Sequence, residues 1–333
     1  PESDYIESFS TCSNHILSLS SNGTARLAEQ PILSTEDDGA DSTDSNIPSQ
    51  SSFISTIELA ERSWKSHLTL ASSTAFAAFG STGKTPLTIH NVRPDEGLAS
   101  LPSVILHTEK TTDPDNLLSS AVYGLTQAPL SSPWGSSPQV IASGWFDGRA
   151  RIYDLRCATR SPTPSEFTSL SLSSLSLSND PASHSSRPKY TATGTPLLTP
   201  VLVMADRWST EPIYSLSSGG GSGAHLAAGT ARHSVVSFWD VRAPKDGWSV
   251  HAPGNDRSPV FNVHLESSRL FGVTELRGFT YDFGPDMTAD CYPSIASSPR
   301  SMNREGLKHK PGILSYRTTK YRHKSSGLTN DFN

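Results

Sequence analysis

Residues Val140–Arg156, VIASGWFDGRARIYDLR, have the clearest structural pattern in the sequence. Its first four residues are apolar or small, which is typical of a short buried strand. Asp147 and Gly148 form a hairpin-turn pair, because Gly adopts the positive φ that a tight turn requires and Asp tolerates it. The last residues alternate between polar and apolar, with one slip, and end in an aromatic residue followed by Asp, at Tyr153 and Asp154. The stretch therefore predicts two antiparallel strands around a tight turn.

The same order of elements recurs along the chain. Ala224–Arg242 has a small apolar strand, a polar turn and a β-branched strand that ends in Trp-Asp. Leu270–Phe283 repeats this order and ends in Tyr-Asp, whereas Phe76–Arg93 and Ile16–Leu27 are looser copies. Five copies of one hairpin predict an all-β protein built from repeated units.

The spacing of the aromatic-Asp endings resembles that of WD repeats, in which each repeat of about 40–45 residues forms one four-stranded blade of a β-propeller. Asp240 and Asp282 lie 42 residues apart, which is one period. The spacings from Asn91 to Asp154 and from Asp154 to Asp240 are longer, 63 and 86 residues, and each predicts an insertion. The 86-residue interval could instead contain two repeats, one of them too degenerate to recognise. The resemblance implies a WD-repeat β-propeller with five discernible blades and six to seven in the complete domain.

The predicted organisation is a single WD-repeat domain over residues 1–333. The blades are predicted at 15–33, 53–107, 119–160 together with 197–204, 211–252 and 259–284, with a closing strand at 313–321. Two Ser-rich segments of low complexity, 34–52 and 161–196, are predicted to be loop insertions, because they have too few apolar side chains to offset the entropy of ordering.

Two groups of residues are candidates for defined roles. In this type of repeat the acidic residues anchor blades through hydrogen bonds. A structural role is therefore predicted for them, and a catalytic role is the alternative. The structural set is Asp147, Gly148, Tyr153, Asp154, Trp239, Asp240, Tyr281 and Asp282. Trp145, Arg232 and His233 are candidates for contact with a partner, the alternatives being a core position for Trp145 and a solvated turn for the other two.

Composition and motifs argue against several other functions. The net charge of −5 does not favour binding to nucleic acid, and three scattered cysteines indicate a reducing compartment and form no metal-ligand set. No apolar run approaches membrane-spanning length. The stretch AFGSTGKT, residues 78–85, matches a relaxed phosphate-binding loop, but Pro86 and a β-branched segment follow where that loop needs a helix. We expect no catalytic residue, cofactor or metal, no membrane association, no homo-oligomer, and a location in the cytoplasm or nucleus.

Residues 140–156 and 206–284 resemble the C-terminal part of fungal F-box/WD-repeat proteins. No F-box is visible in this chain, so that module is expected upstream of Pro1. The resemblance implies a substrate-recognition subunit of an SCF-type ubiquitin ligase, in which the F-box binds the Skp adaptor and the propeller binds the substrate protein without catalysing a reaction. The alternative is a WD-repeat scaffold protein of another multiprotein assembly.

Overall fold

The computed structural model describes residues 4–30, 52–71, 74–93, 96–108, 120–158, 189–207, 209–245, 247–251 and 257–284. Apart from one 3-10 turn at Leu155–Ala158, the regular structure of these residues consists of β-strands, so the described part of the chain is all-β. The strands are β1 Ile6–Cys12, β2 His15–Ser20, β3 Thr24–Glu29, β4 Ser52–Glu58, β5 Ser63–Ala71, β6 Thr74–Ser81, β7 Leu87–Arg93, β8 Gly97–Leu98, β9 Val104–Leu106, β10 Val122–Gln127, β11 Val140–Trp145, β12 Arg149–Asp154, β13 Lys189–Tyr190, β14 Pro196–Leu198, β15 Leu202–Ala205, β16 Ile213–Gly219, β17 His225–Thr230, β18 Val235–Asp240, β19 Trp248–His251, β20 Val260–Glu266, β21 Arg269–Thr274 and β22 Gly278–Asp282.

These strands form five sheets that follow one another along the chain. Sheet 1 contains β1 to β4, sheet 3 contains β10, β11, β12 and β15, sheet 4 contains β16 to β19, and sheet 5 contains β20 to β22. Sheet 2 has the order β13-β14-β9-β7-β6-β5, with β8 on β7, and its β14–β9 pairing is parallel. All other pairings are antiparallel, because short turns join most neighbouring strands.

Each sheet packs on the next one in chain order. Four hydrophobic clusters fill the spaces between sheets 1 and 2, 2 and 3, 3 and 4, and 4 and 5. The first strands of successive sheets, β1, β5, β10, β16 and β20, lie side by side. The central strands are buried on both faces, as all six residues of β11 show. Their small and apolar sequences are what this double burial requires.

The structure corrects the predicted boundaries in two places. Sheet 1 begins at β1, and it also takes Ser52–Glu58, which pairs with β3 and was wrongly assigned to the second repeat. The Ser- and Thr-rich sequence of β1 lacks an apolar alternation, so this strand could not be recognised from the sequence. In the predicted insertion 161–196, β13 and the start of β14 are strands, and Leu197–Leu198 extends sheet 2 beside β9 instead of sheet 3. Residues 34–51, 161–188 and 313–321 lie outside the described part of the chain.

Candidate partner-binding face

Each of the five first strands has a register irregularity at its second residue. The bulged residues are Glu7, Trp64, Tyr123, Tyr214 and Phe261. A bulge breaks the regular alternation of a strand and turns the extra side chain in a new direction. Because the first strands lie side by side, the five bulges fall along one edge of the series of sheets. We call Trp64, Tyr123, Tyr214 and Phe261 the aromatic row.

The rings of the aromatic row contact one another in sequence. The ring centroids of Trp64 and Tyr123 are 5.8 Å apart, those of Tyr123 and Tyr214 are 5.1 Å apart, and those of Tyr214 and Phe261 are 6.5 Å apart. Phe146 adds a ring 6.2 Å from Tyr123 and is 51% exposed, while Phe261 is 50% exposed. Burial and the neighbouring Tyr214 raise the pKa of Tyr123. Its hydroxyl, like that of any tyrosine at neutral pH, carries its proton and can donate a hydrogen bond. The row is thus an apolar strip with polar tips.

A cation and a carboxylate continue the row at one end. The guanidinium of Arg62 lies over the Trp64 ring, 4.3 Å from its centroid. The same guanidinium donates through Nη2 to Oε1 of Glu7 at 3.1 Å. Cation–π stacking and this ion pair hold an exposed Arg against the ring. Trp, Tyr and Arg therefore meet in one place, as they do at the centres of protein interfaces.

The turns between second and third strands lie at the same edge. The amide of Phe146 donates to the carbonyl of Ala121, and the amide of Ala231 donates to the carbonyl of Pro212, each at 2.8 Å. Because Ala121 and Pro212 directly precede β10 and β16, these two turns flank the aromatic row. The edge therefore combines loop side chains with side chains that the strands hold in place.

Two of the predicted partner-binding residues, Arg232 and His233, lie in the turn between β17 and β18. Both are exposed, and His233 has a positive φ of 60°. Glu211 accepts a hydrogen bond from the Arg232 amide at 3.0 Å and contacts Nδ1 of His233. This carboxylate fixes the turn and leaves the Arg232 side chain directed to solvent.

The prediction that Trp145 contacts a partner is wrong. Its side chain is fully buried, and its Nε1 donates to Oγ of Ser143 at 2.7 Å. The Arg151 guanidinium covers the ring at 4.9 Å from its centroid. Trp145 ends β11 on the inward side, so the following residue, Phe146, is the one exposed at the turn.

Asp147 and Gly148 have structural contacts in this turn. The carboxylate of Asp147 accepts two hydrogen bonds from Arg151, at 3.0 and 2.6 Å, and one from the Arg149 amide at 3.2 Å. Arg151 is 2% exposed, so Asp147 neutralises a buried cation. Gly148 has a φ of 77°, and a Cβ there would come within 2.7 Å of the Thr210 backbone.

The other repeat acids lie at the opposite end of the sheets, where the third strands finish. Asp154 accepts hydrogen bonds from the amide and guanidinium of Arg156, and Asp240 accepts the same set from Arg242. The hydrogen bonds from Arg242 lower the pKa of Asp240 to about 2. Burial alone would raise the pKa of Asp282, but hydrogen bonds from Arg269 and the Gly284 amide outweigh it and lower that pKa. These carboxylates hold the strand ends and are occupied by partners within the chain.

The aromatic members of the repeat endings also have contacts within the chain; Tyr153 and Trp239 are buried, and Tyr281 is partly buried. The Tyr153 hydroxyl donates to the carbonyl of His107 at 2.7 Å, and Trp239 is 1% exposed. The Tyr281 hydroxyl contacts the carbonyl of His251, and burial raises the pKa of Tyr281 to about 12.

Two other possible sites receive no support from the described residues. Residues 78–85 form the end of β6 and a turn into β7, and no helix follows the exposed Lys84. Within the described ranges no group of three or more His, Cys, Asp or Glu side chains is placed to hold a metal ion. No described helix is long and apolar enough to cross a membrane.

The aromatic row is not among the predictions from the sequence, although the sequence contains a signal for it. Three first strands begin with a β-branched residue, an aromatic residue, a small residue and an aliphatic one. These starts are Val-Tyr-Gly-Leu at 122–125, Ile-Tyr-Ser-Leu at 213–216 and Val-Phe-Asn-Val at 260–263. The endings of the third strands match the aromatic-Asp ending of WD repeats, whereas the starts of the first strands match no motif that was considered.

Comparisons with known proteins add little. No protein-family model and no curated protein matches the sequence. Among solved structures, one match is a humanized mutant of the Chaetomium thermophilum Polycomb Repressive Complex 2 bound to the inhibitor GSK126, with a TM-score of 0.45 and 12% identity. The match covers 81% of this chain and 48% of that chain, so this chain spans about half of its length. A similarity this low carries no argument about function.

Proposed function

We propose that the five sheets are blades of a WD-repeat β-propeller and that this propeller binds proteins through the aromatic row. The observation that carries the proposal is the repeated bulge, which turns Trp64, Tyr123, Tyr214 and Phe261 towards one edge. Bulges occur preferentially where a fold redirects side chains next to functional sites. Partly exposed Trp and Tyr side chains with a stacked Arg match the composition of binding hot spots.

We expect folding to depend less on the aromatic row than on the residues that precede it. The residues just before the bulges, Val122, Ile213 and Val260, are buried between sheets, whereas the row residues that follow them are partly exposed. Partly exposed rings contribute less to the core than fully buried ones. Variants of the row can therefore separate binding from stability.

The assembly that we propose is an SCF-type ubiquitin ligase in which this chain recognises the substrate protein without catalysing a reaction. This part of the proposal is supported by the sequence resemblance of residues 140–156 and 206–284 to F-box/WD-repeat proteins. An F-box elsewhere in the gene product would bind the Skp adaptor, and the aromatic row would bind the substrate. A scaffold role in another assembly would use the same face with different partners.

Affinity purification of the tagged full-length gene product, with quantitative mass spectrometry, tests both parts. The test variant is Tyr123→Ser with Tyr214→Ser, and the matched control is Tyr190→Ser, since Tyr190 is 49% exposed on β13 and outside the row. We expect a Skp adaptor and a cullin with every variant, and a substrate whose recovery falls about tenfold or more in the test variant only. Stable partners without Skp or cullin would favour the scaffold. Recovery unchanged by the row variant would contradict the binding role of the row.

A further inference from the structure

Three carboxylates beside the aromatic row are occupied by groups of the chain itself. Glu7 accepts a hydrogen bond from the guanidinium that stacks on the row, and Glu211 accepts from a backbone amide of the β17–β18 turn. Asp147 accepts two hydrogen bonds from a buried guanidinium. Glu61 and Glu275 have no side-chain partner among the described residues, but they lie before β5 and between β21 and β22, outside the row. The backbone carbonyls directly before β10 and β16 also accept hydrogen bonds from neighbouring turns.

The hydrogen-bond donors of the row, in contrast, are unused. In the described part of the chain neither the hydroxyl of Tyr123 nor that of Tyr214 has a hydrogen-bond partner, although their rings lie 5.1 Å apart. The Nε1 of Trp64 is also without a partner among the described residues. The Arg62 guanidinium uses Nη2 on Glu7, and its other N–H groups remain. The row therefore combines apolar rings with free donors and has no free carboxylate among its rings.

A ligand that fits this pattern has many hydrogen-bond acceptors and few donors. An ordinary extended peptide carries one N–H group for each carbonyl, and those N–H groups would lose water on the row without gaining a partner. Proline has no N–H group, and in a polyproline II helix the backbone carbonyls make no internal hydrogen bonds. Proline-rich segments in this conformation dock on surfaces lined by aromatic side chains. Such a segment matches the row in charge distribution and in apolar surface.

We propose that the aromatic row binds a proline-rich segment of the partner protein in the polyproline II conformation. This inference rests on the proposed binding role of the row. The proline rings pack on the aromatic rings, and the hydroxyls of Tyr123 and Tyr214 donate to the carbonyls of the segment. At about 3.1 Å per residue, roughly six residues span the row from Trp64 to Phe261. An acidic segment fits less well, because its carboxylates would lose hydration against the rings while the guanidinium of Arg62 already has a carboxylate partner.

Binding of unlabelled ten-residue peptides to the intact chain, measured by surface plasmon resonance, tests the inference. The peptides are decaproline, an alternating Gly-Ser peptide and an alternating Glu-Leu peptide, each capped at both ends. The test variant is Tyr123→Phe with Tyr214→Phe, which keeps both rings and removes both hydroxyls. The matched control is Tyr190→Phe, because Tyr190 is 49% exposed and lies on β13, outside the row.

We expect decaproline to bind at least about tenfold more tightly than either of the other peptides. The test variant should weaken decaproline binding about fivefold or more, because two hydrogen bonds are lost, and the control should bind as the wild type does. Three results would each overturn the inference: equal binding of all three peptides, tighter binding of the Glu-Leu peptide, or decaproline binding that the test variant leaves unchanged.

The proposed function can fail or hold independently of this result. It is tested by the recovery of natural partners with the Tyr123→Ser, Tyr214→Ser variant. Loss of a natural partner in that variant, together with no preference for decaproline, would leave the binding role of the row in place and contradict only the proline-rich ligand.

Discussion

The close contact between sheets 3 and 4 at Gly144 makes a quantitative prediction for Gly144→Ala. The new Cβ would lie 2.4 Å from Cγ2 and 3.1 Å from Cβ of Ile213, whereas apolar carbons pack at roughly 3.5–4.0 Å. Sheets 3 and 4 would have to separate by about 1 Å or Ile213 would have to leave its rotamer. Overpacking of this kind costs about 1–3 kcal/mol. Gly→Ala in an open strand position would be neutral or slightly stabilising, so the loss reflects the contact.

The assay is urea unfolding followed by tryptophan fluorescence and circular dichroism. Gly221→Ala is the matched control, because a Cβ there meets nothing within 4 Å and its φ is not positive. Ile213→Ala should restore space, so the double variant should be more stable than the sum of the single changes by roughly 1–2 kcal/mol. Costs that simply add, or a Gly144→Ala variant as stable as Gly221→Ala, would refute the packing argument.

Three further predictions concern stability. Trp239→Ala removes a fully buried side chain and should cost about 3–5 kcal/mol, whereas Lys84→Ala at an exposed turn should cost about 0.5 kcal/mol or less, both measured by urea unfolding. Burial lowers the pKa of His67 from 6.5 to about 4, with a smaller contribution from Lys65. The unfolded chain then takes up a proton before the folded one does, so stability should fall by up to roughly 3 kcal/mol as pH drops from 6.5 to 4, and His67→Gln should flatten that pH profile. Asp147→Ala removes two charge-assisted hydrogen bonds to buried Arg151 and should lower the free energy of unfolding by roughly 2 kcal/mol, while an unchanged value would mean that other groups hold Arg151.

The sequence predicted the repeated hairpins well because each hairpin is coded locally. Small apolar second strands, a turn with Gly, and an aromatic-Asp ending occur together in Val140–Arg156, and the structure forms β11 and β12 there. In the same way, the sequence predicted a Gly-containing turn before β7 and argued against a phosphate-binding loop. That prediction was correct, because Pro86 and the β-branched residues that follow it favour a strand.

The features that could not be predicted from the sequence depend on pairing between distant segments. β4 joins sheet 1 only through its register with β3, and β14 joins sheet 2 beside β9 although it lies far along the chain. A bulge is a property of two strands together, so the exposure of Tyr123 and Tyr214 could not be deduced from alternation within one strand. The burial of Trp145 and the exposure of Phe146 likewise depend on where β11 ends.

The binding role of the aromatic row is decided by the affinity of the intact protein for its co-purified partner, compared between wild type and the Tyr123→Ser, Tyr214→Ser variant. The partner is first identified by affinity purification, and its binding is then measured by isothermal titration calorimetry. We expect the variant to bind with a Kd at least about tenfold weaker and to keep a thermal stability within a few degrees of wild type. An unchanged Kd in a folded variant would show that the aromatic row is not the binding surface.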